Sequence, residues 1–208
     1  MHIEPGHIHA AKIIAANTVA IALLGSQSLQ LVKQPQLIVR TLLAAIFFTA
    51  CMQAFHLPVG PSELHFLGAM PIYLTLGFVP ALLGFGLGLL VQGLLFTPTD
   101  LVHLGVNTLS LALPLCLLHA AFGKRLATLD LKTIVKLDAV YYGGVTLMVG
   151  FWLALSEVAT PLAAFAAFAI SYASIVIAEP LLTWAIVKGL ARGKGHATVR
   201  YCFDLHAA

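Results

Sequence analysis

The chain opens Met1-His2-Ile3-Glu4, and a histidine in second place makes a chain's own terminus a chelating group. The free α-amine, the deprotonated amide nitrogen of His2 and its imidazole Nδ1 can close fused rings around one metal in a plane. One in-plane position is left for a fourth nitrogen. Planar nitrogen coordination favours Ni(II) or Cu(II). Mg(II) and Ca(II) prefer oxygen, and Zn(II) a tetrahedral site. Methionine removal generally requires a small second residue, so the bulky His2 keeps Met1 in place. The dipeptide alone is a weak signal, and its weight comes from the residues around it. His7, His9, His56, His65 and His103 follow, with Glu4, Glu63, Asp100 and Glu157. Imidazoles and carboxylates on one face attract and hold divalent cations. Exclusion of basic residues would explain the carboxylates of such a face, but not its histidines.

These groups have to be positioned by a membrane protein. Of 208 residues, 60% are hydrophobic and 9% charged, against about 25% charged in soluble domains. Helices of that composition lack a polar face for water, whereas a bilayer-spanning helix takes roughly 20 apolar residues. Apolar segments cover Ala10–Leu31, Leu37–Phe55, Leu64–Leu76, Phe78–Phe96, Leu101–Phe122, Ile134–Leu155 and Pro161–Lys188. The third is short, carries Pro71, and is separated from the fourth only by Gly77. Such breaks are tolerated at membrane depth where protein packing satisfies the backbone. Residues 64–96 therefore read as two helices, a broken pair or one re-entrant unit, for seven spans in all or six. The fold class is an all-α polytopic bundle forming one membrane domain over 1–208: terminus 1–9, bundle 10–190 and basic tail 191–208. No basic region precedes the first apolar stretch, as a signal peptide would require.

Charge placement favours seven. Lys33 and Arg40 lie between segments one and two, Lys124, Arg125, Lys132 and Lys136 between five and six, and Lys188, Arg192, Lys194 and Arg200 at or beyond the end of the last. Seven spans put all three groups on one side, which the positive-inside rule makes cytoplasmic. The terminus and the 2–3, 4–5 and 6–7 connections then face outward, and they hold the carboxylates and histidines above. Cys51, Cys116 and Cys202 form no CxxC pair and read as small buried hydrophobes. Gly84, Gly86 and Gly88 read as close helix packing, since no phosphate-loop lysine follows them. The chain therefore does not hydrolyse ATP by itself. Without an HExxH pair it makes a poor metalloenzyme, and without an aromatic-interleaved basic run it is not expected to bind nucleic acid.

The opening Met1-His2-Ile3-Glu4-Pro5-Gly6 is followed by Pro58-Val59-Gly60-Pro61, by Glu63-Leu64-His65-Phe66-Leu67-Gly68, and by Leu104-Gly105-Val106-Asn107-Thr108-Leu109. Together these resemble the substrate-binding membrane subunit (CbiM/NikM family) of energy-coupling-factor nickel and cobalt transporters, with the likeness running over residues 1 to about 120. The resemblance implies a seven-helix fold whose terminus tucks into the bundle from outside, and it implies metal ligation by Met1, His2 and His65. It also implies Ni(II) or Co(II) as cargo without an organic cofactor. The implied partners are a transmembrane coupling subunit, ATPase subunits and a small accessory membrane protein in a prokaryotic cell membrane. Copper stays chemically open. A stand-alone channel or sensor is the competing class. The order Glu4-Pro5 departs from the family's usual Pro-Glu, and either order rigidifies the turn.

The remaining polar residues carry paired readings. His7 and His9 are solvated histidines or an entry relay, and His103 is an extra ligand or a group supporting one. Glu63 and Asp100 orient imidazoles or are plain interface charges. Asn107, in an apolar run, bonds the N-terminal backbone or an imidazole, or acts as interhelical glue. Glu179, beside Pro180, is an intramembrane carboxylate placed toward the inner half, where partner coupling or a lysine partner is expected. His119, His196 and His206 lie toward the cytoplasm and are given no role.

Overall fold

The computed structural model describes residues 8–59, 62–126 and 129–204. Helices α1 (Ala10–Lys33) and α2 (Gln36–Ala54) lead into a hairpin of β1 (His56–Val59) and β2 (Ser62–His65). Then come α3 (Ala69–Leu76), α4 (Phe78–Leu95), a 3-10 turn (Pro98–His103) and α5 (Leu104–Phe122). Helices α6 (Leu131–Ala154), α7 (Leu162–Arg192) and the short α8 (Ala197–Cys202) complete the chain. Among the described residues, six helical stretches are long and apolar enough to cross a membrane: α1, α2, α4, α5 with its 3-10 turn, α6 and α7. The third apolar segment of the sequence is instead a strand followed by an eight-residue helix.

Packing of α2 on α4 explains that break. A Cβ on Gly84 would lie 2.4 Å from the Cβ of Ala44, and one on Gly88 would lie 2.5 Å from the Phe48 ring. Glycine thus lets the two backbones close, and between helices in lipid it is close packing that drives association. The pairs advance together along both helices, so α2 and α4 run parallel. Parallel neighbours require the intervening chain to travel back along the bundle, and residues 62–76 do so. Gly68 and Gly77, with φ of 63° and 95°, make the turns into and out of α3, and Cβ atoms there would strain the backbone. Every residue of α3 is buried.

The ends of the bundle differ. One gathers the start of α1, the hairpin, the 3-10 turn and the end of α6; Lys12 Nζ reaches the Leu155 carbonyl there at 2.6 Å. We call it the histidine end. The other gathers the 33–36 turn, Gly77, the 122–131 connection and the C-terminal tail, with most of the basic residues; we call it the basic end. His9, given two solvent-side readings above, caps α1, its Nδ1 accepting the Ala11 amide at 3.2 Å.

Candidate metal centre

His65 ends β2, and hairpin register pairs it with His56. Pairing places both imidazoles on one face, with ring centroids 6.2 Å apart and planes 28° from parallel. His65 is buried, its Nε2 lies 2.9 Å from Glu63 Oε2, and its Nδ1 lies 3.4 Å from the Met52 carbonyl oxygen. Carboxylate and carbonyl oxygens accept but do not donate, so both ring nitrogens face acceptors and the ring is held between them. Glu63 thus contacts an imidazole, the geometry that its orienting reading requires. His56 is the addition: its alignment with His65 depends on strand register, which eight residues of hairpin do not advertise.

A second group forms where the 3-10 turn runs into α5. His103 is fully buried there, and Asn107, one helical turn on, is also buried. Asn107 Oδ1 has no hydrogen-bond partner among the described residues, nor does the nearby indole Nε1 of Trp152. Interhelical glue thus has no bond at this oxygen among the described residues, and the reading of Asn107 as terminal anchor involves residues outside them. Ile8 packs in one cluster with Val106, Leu109 and Trp152. The chain therefore emerges from its first described residues already seated between α5 and α6. Met1, His2 and His7 lie outside the described residues. Among the described residues, no three His, Cys, Asp or Glu side chains gather into a metal-holding group.

Glu179 meets no lysine. Its Oε1 accepts the Met70 amide at 2.8 Å, and its Oε2 accepts the Tyr142 hydroxyl. It therefore belongs to the start of α3, three residues beyond His65. At the basic end, His119 takes the Tyr73 hydroxyl on Nδ1 at 2.9 Å and stacks on Phe78 at 4.1 Å. That is a packing role the sequence did not reveal.

Six membrane-length helices wrapped around one buried short helix define a multi-pass membrane protein. The model of the CbiM family, described as cobalt uptake substrate-specific transmembrane region, matches residues 2–197, and the chain belongs to that family. A putative metal transport protein of Haemophilus influenzae is 30% identical over 128 residues, which cover 61% of this chain and 59% of that protein. The match thus spans well under two thirds of that relative's length. A crystal structure of a transition metal transporter shares the fold, with a TM-score of 0.72 over 96% of each chain at 18% identity.

Proposed function

We propose that the chain is the substrate-capture subunit of an energy-coupling-factor importer for a divalent transition metal, Ni(II) or Co(II). The ligands are the amine of Met1, the amide and imidazole of His2, and His65 as the fourth nitrogen. The observation that carries this is the placement of His65: buried, aligned with His56 across the hairpin, and bonded through Nε2 to Glu63, a carboxylate of the kind that orients metal-bound imidazoles. Its Nδ1 faces the Met52 carbonyl at 3.4 Å, and ligation at that nitrogen exchanges this long contact for the metal. Support also comes from Ile8, whose burial beside Val106 and Trp152 brings the terminus toward the bundle from the histidine end. In this reading the N-terminal segment supplies the partner for Asn107 Oδ1.

The basic end faces the cytoplasm of a prokaryotic cell, by the positive-inside rule, and the chain crosses seven times, once through β2 and α3. The extracytoplasmic terminus, residues 1–9, holds the metal, and the basic tail from 191 lies inside. Energy comes from separate ATPase subunits through a transmembrane coupling subunit, with a small accessory membrane protein in the assembly.

The test is a chain lengthened by several residues ahead of Met1, which carries His2 away from any free amine. An extension converts the amine into an amide, and Ni(II) affinity, read by titration calorimetry, should fall by at least the roughly 10–100-fold seen when mere supporting groups of a metal site are lost. Undiminished affinity would rule out the amine chelate.

A further inference from the structure

We infer that Glu179 is a positioning residue for the metal site, acting through the start of α3 to hold the His65 loop. The inference rests on the proposed ligation by His65, and it assigns to α7 a part in setting the site's geometry.

The physical need is plain. The first amides of a helix have no partner within it, and in a bilayer no water replaces one. Helix α3 begins after Gly68 in the left-handed region, and no side chain at that position caps it. The cap comes from another helix. Glu179, fully buried in α7, accepts the Met70 amide on Oε1 at 2.8 Å, with the Gly68 and Ala69 amides close to the same carboxyl. A side chain of α7 thus supplies an acceptor that α3 itself lacks.

Only Phe66 and Leu67 separate His65 from Gly68, and Leu67 is fully buried. The Gly68 turn is wedged against α2, where a Cβ would lie 2.7 Å from the Phe47 ring and 3.1 Å from Cys51 Sγ. The loop bearing His65 is therefore pinned between α2 and the Glu179 carboxylate, with little freedom of its own. Tyr142 of α6 bonds the other oxygen of Glu179. The His65 loop is thereby referred to α6 and α7 together. A displacement of α7 against α2 would withdraw the cap and shift His65 relative to its partner ligands.

The test uses the full chain in lipid nanodiscs, with Glu179→Gln and Glu179→Ala beside His65→Ala. Amide hydrogen exchange at residues 68–70 reads the cap without any metal. Ni(II) affinity and the ligand-field absorption of bound Ni(II) read the site. Both Glu179 variants should speed exchange at those three amides, Ala more than Gln because Gln keeps a carbonyl acceptor. Affinity should fall by about 10–100-fold in Glu179→Ala, as for other groups that orient metal ligands, and less in Glu179→Gln, with a shifted absorption band and unchanged helix content. Should Ala fail to fold, Gln decides alone. Faster exchange with unaltered affinity and spectrum would overturn the inference, leaving Glu179 a structural cap only; unaltered exchange would overturn it as well. Unaltered affinity in His65→Ala would instead remove the ligand assignment, whatever the exchange data say about Glu179.

Discussion

At the basic end, Arg40 of α2 donates to the carbonyls of Arg200, Tyr201 and Phe203 at 3.0, 3.1 and 2.7 Å, and the Asp204 amide donates to the Thr75 carbonyl at 2.6 Å. The C-terminal tail thus closes that end and takes up the last turn of α3. At the histidine end the chain's polar groups converge differently. Two imidazoles and the Glu63 carboxylate gather on the hairpin, while Asn107 Oδ1 and Trp152 Nε1 are buried without partners among the described residues. Both ends of α3 are held by remote residues, the Glu179 carboxyl at its N-terminus and a backbone amide at its C-terminus. One end is satisfied by its own tail and serves as a lock. The other presents side chains that a metal and a terminal segment can complete.

Breaking each end should therefore give different phenotypes. The largest effect expected is on metal affinity. His65→Ala should lower Ni(II) affinity by more than about 100-fold, beyond the range for groups that only orient ligands, with an unchanged melting temperature in detergent. A matching loss of stability would make His65 a packing residue. Arg40→Ala should do the reverse. Hydrogen bonds from a charged donor contribute about 1.5–3 kcal/mol each, so loss of the three should lower stability by at least that amount and protease should cut the tail beyond Arg192 faster. Metal affinity should hold; a fall in affinity would show that the two ends are not separable.

A third change probes the frame between the ends. Gly84→Ala adds a methyl 2.4 Å from the Ala44 Cβ, and such overpacking costs about 1–3 kcal/mol. Gly143→Ala, on α6 with nothing within 4 Å, should be neutral or slightly stabilising, since Ala is the better helix former. Equal melting temperatures for the two would show that the α2–α4 contact is loose.

The long helices were legible because hydropathy over about 20 residues is a strong signal, and the glycines of α4 announced their close contact. The hairpin was not. Its strands are four residues each and pack on α7, so no alternation long enough to detect exists, and His56 passed as one of several outer histidines. Glu179 stood out as an intramembrane carboxylate, but its partners are backbone amides, which leave no trace in sequence. A lysine was the natural guess and was not what α3 provides. His65 and Glu63, two positions apart on one strand, lay within reach of sequence reasoning because i, i+2 residues share a face. Their joint geometry with Met1 and His2 is what the N-terminal extension would probe.

The smallest effect separates the two helix caps. At the histidine end His9 caps α1 with a ring nitrogen, whereas at the basic end Asp130 caps α6 with a carboxylate that accepts the Thr133 amide at 2.8 Å. The Thr133 hydroxyl and amide hold the Asp130 carboxyl below its ordinary value of 3.8. A depressed value in the folded state means that the cap's contribution is present above the ordinary value and is lost as pH falls through the lowered one. Asp130→Ala should therefore lower the melting temperature slightly at pH 7 and hardly at all once the carboxyl is protonated. The same difference at both pH values would mean that the cap works by geometry rather than charge. Asp130→Asn, which keeps the acceptor oxygen, would then behave like the parent chain at every pH.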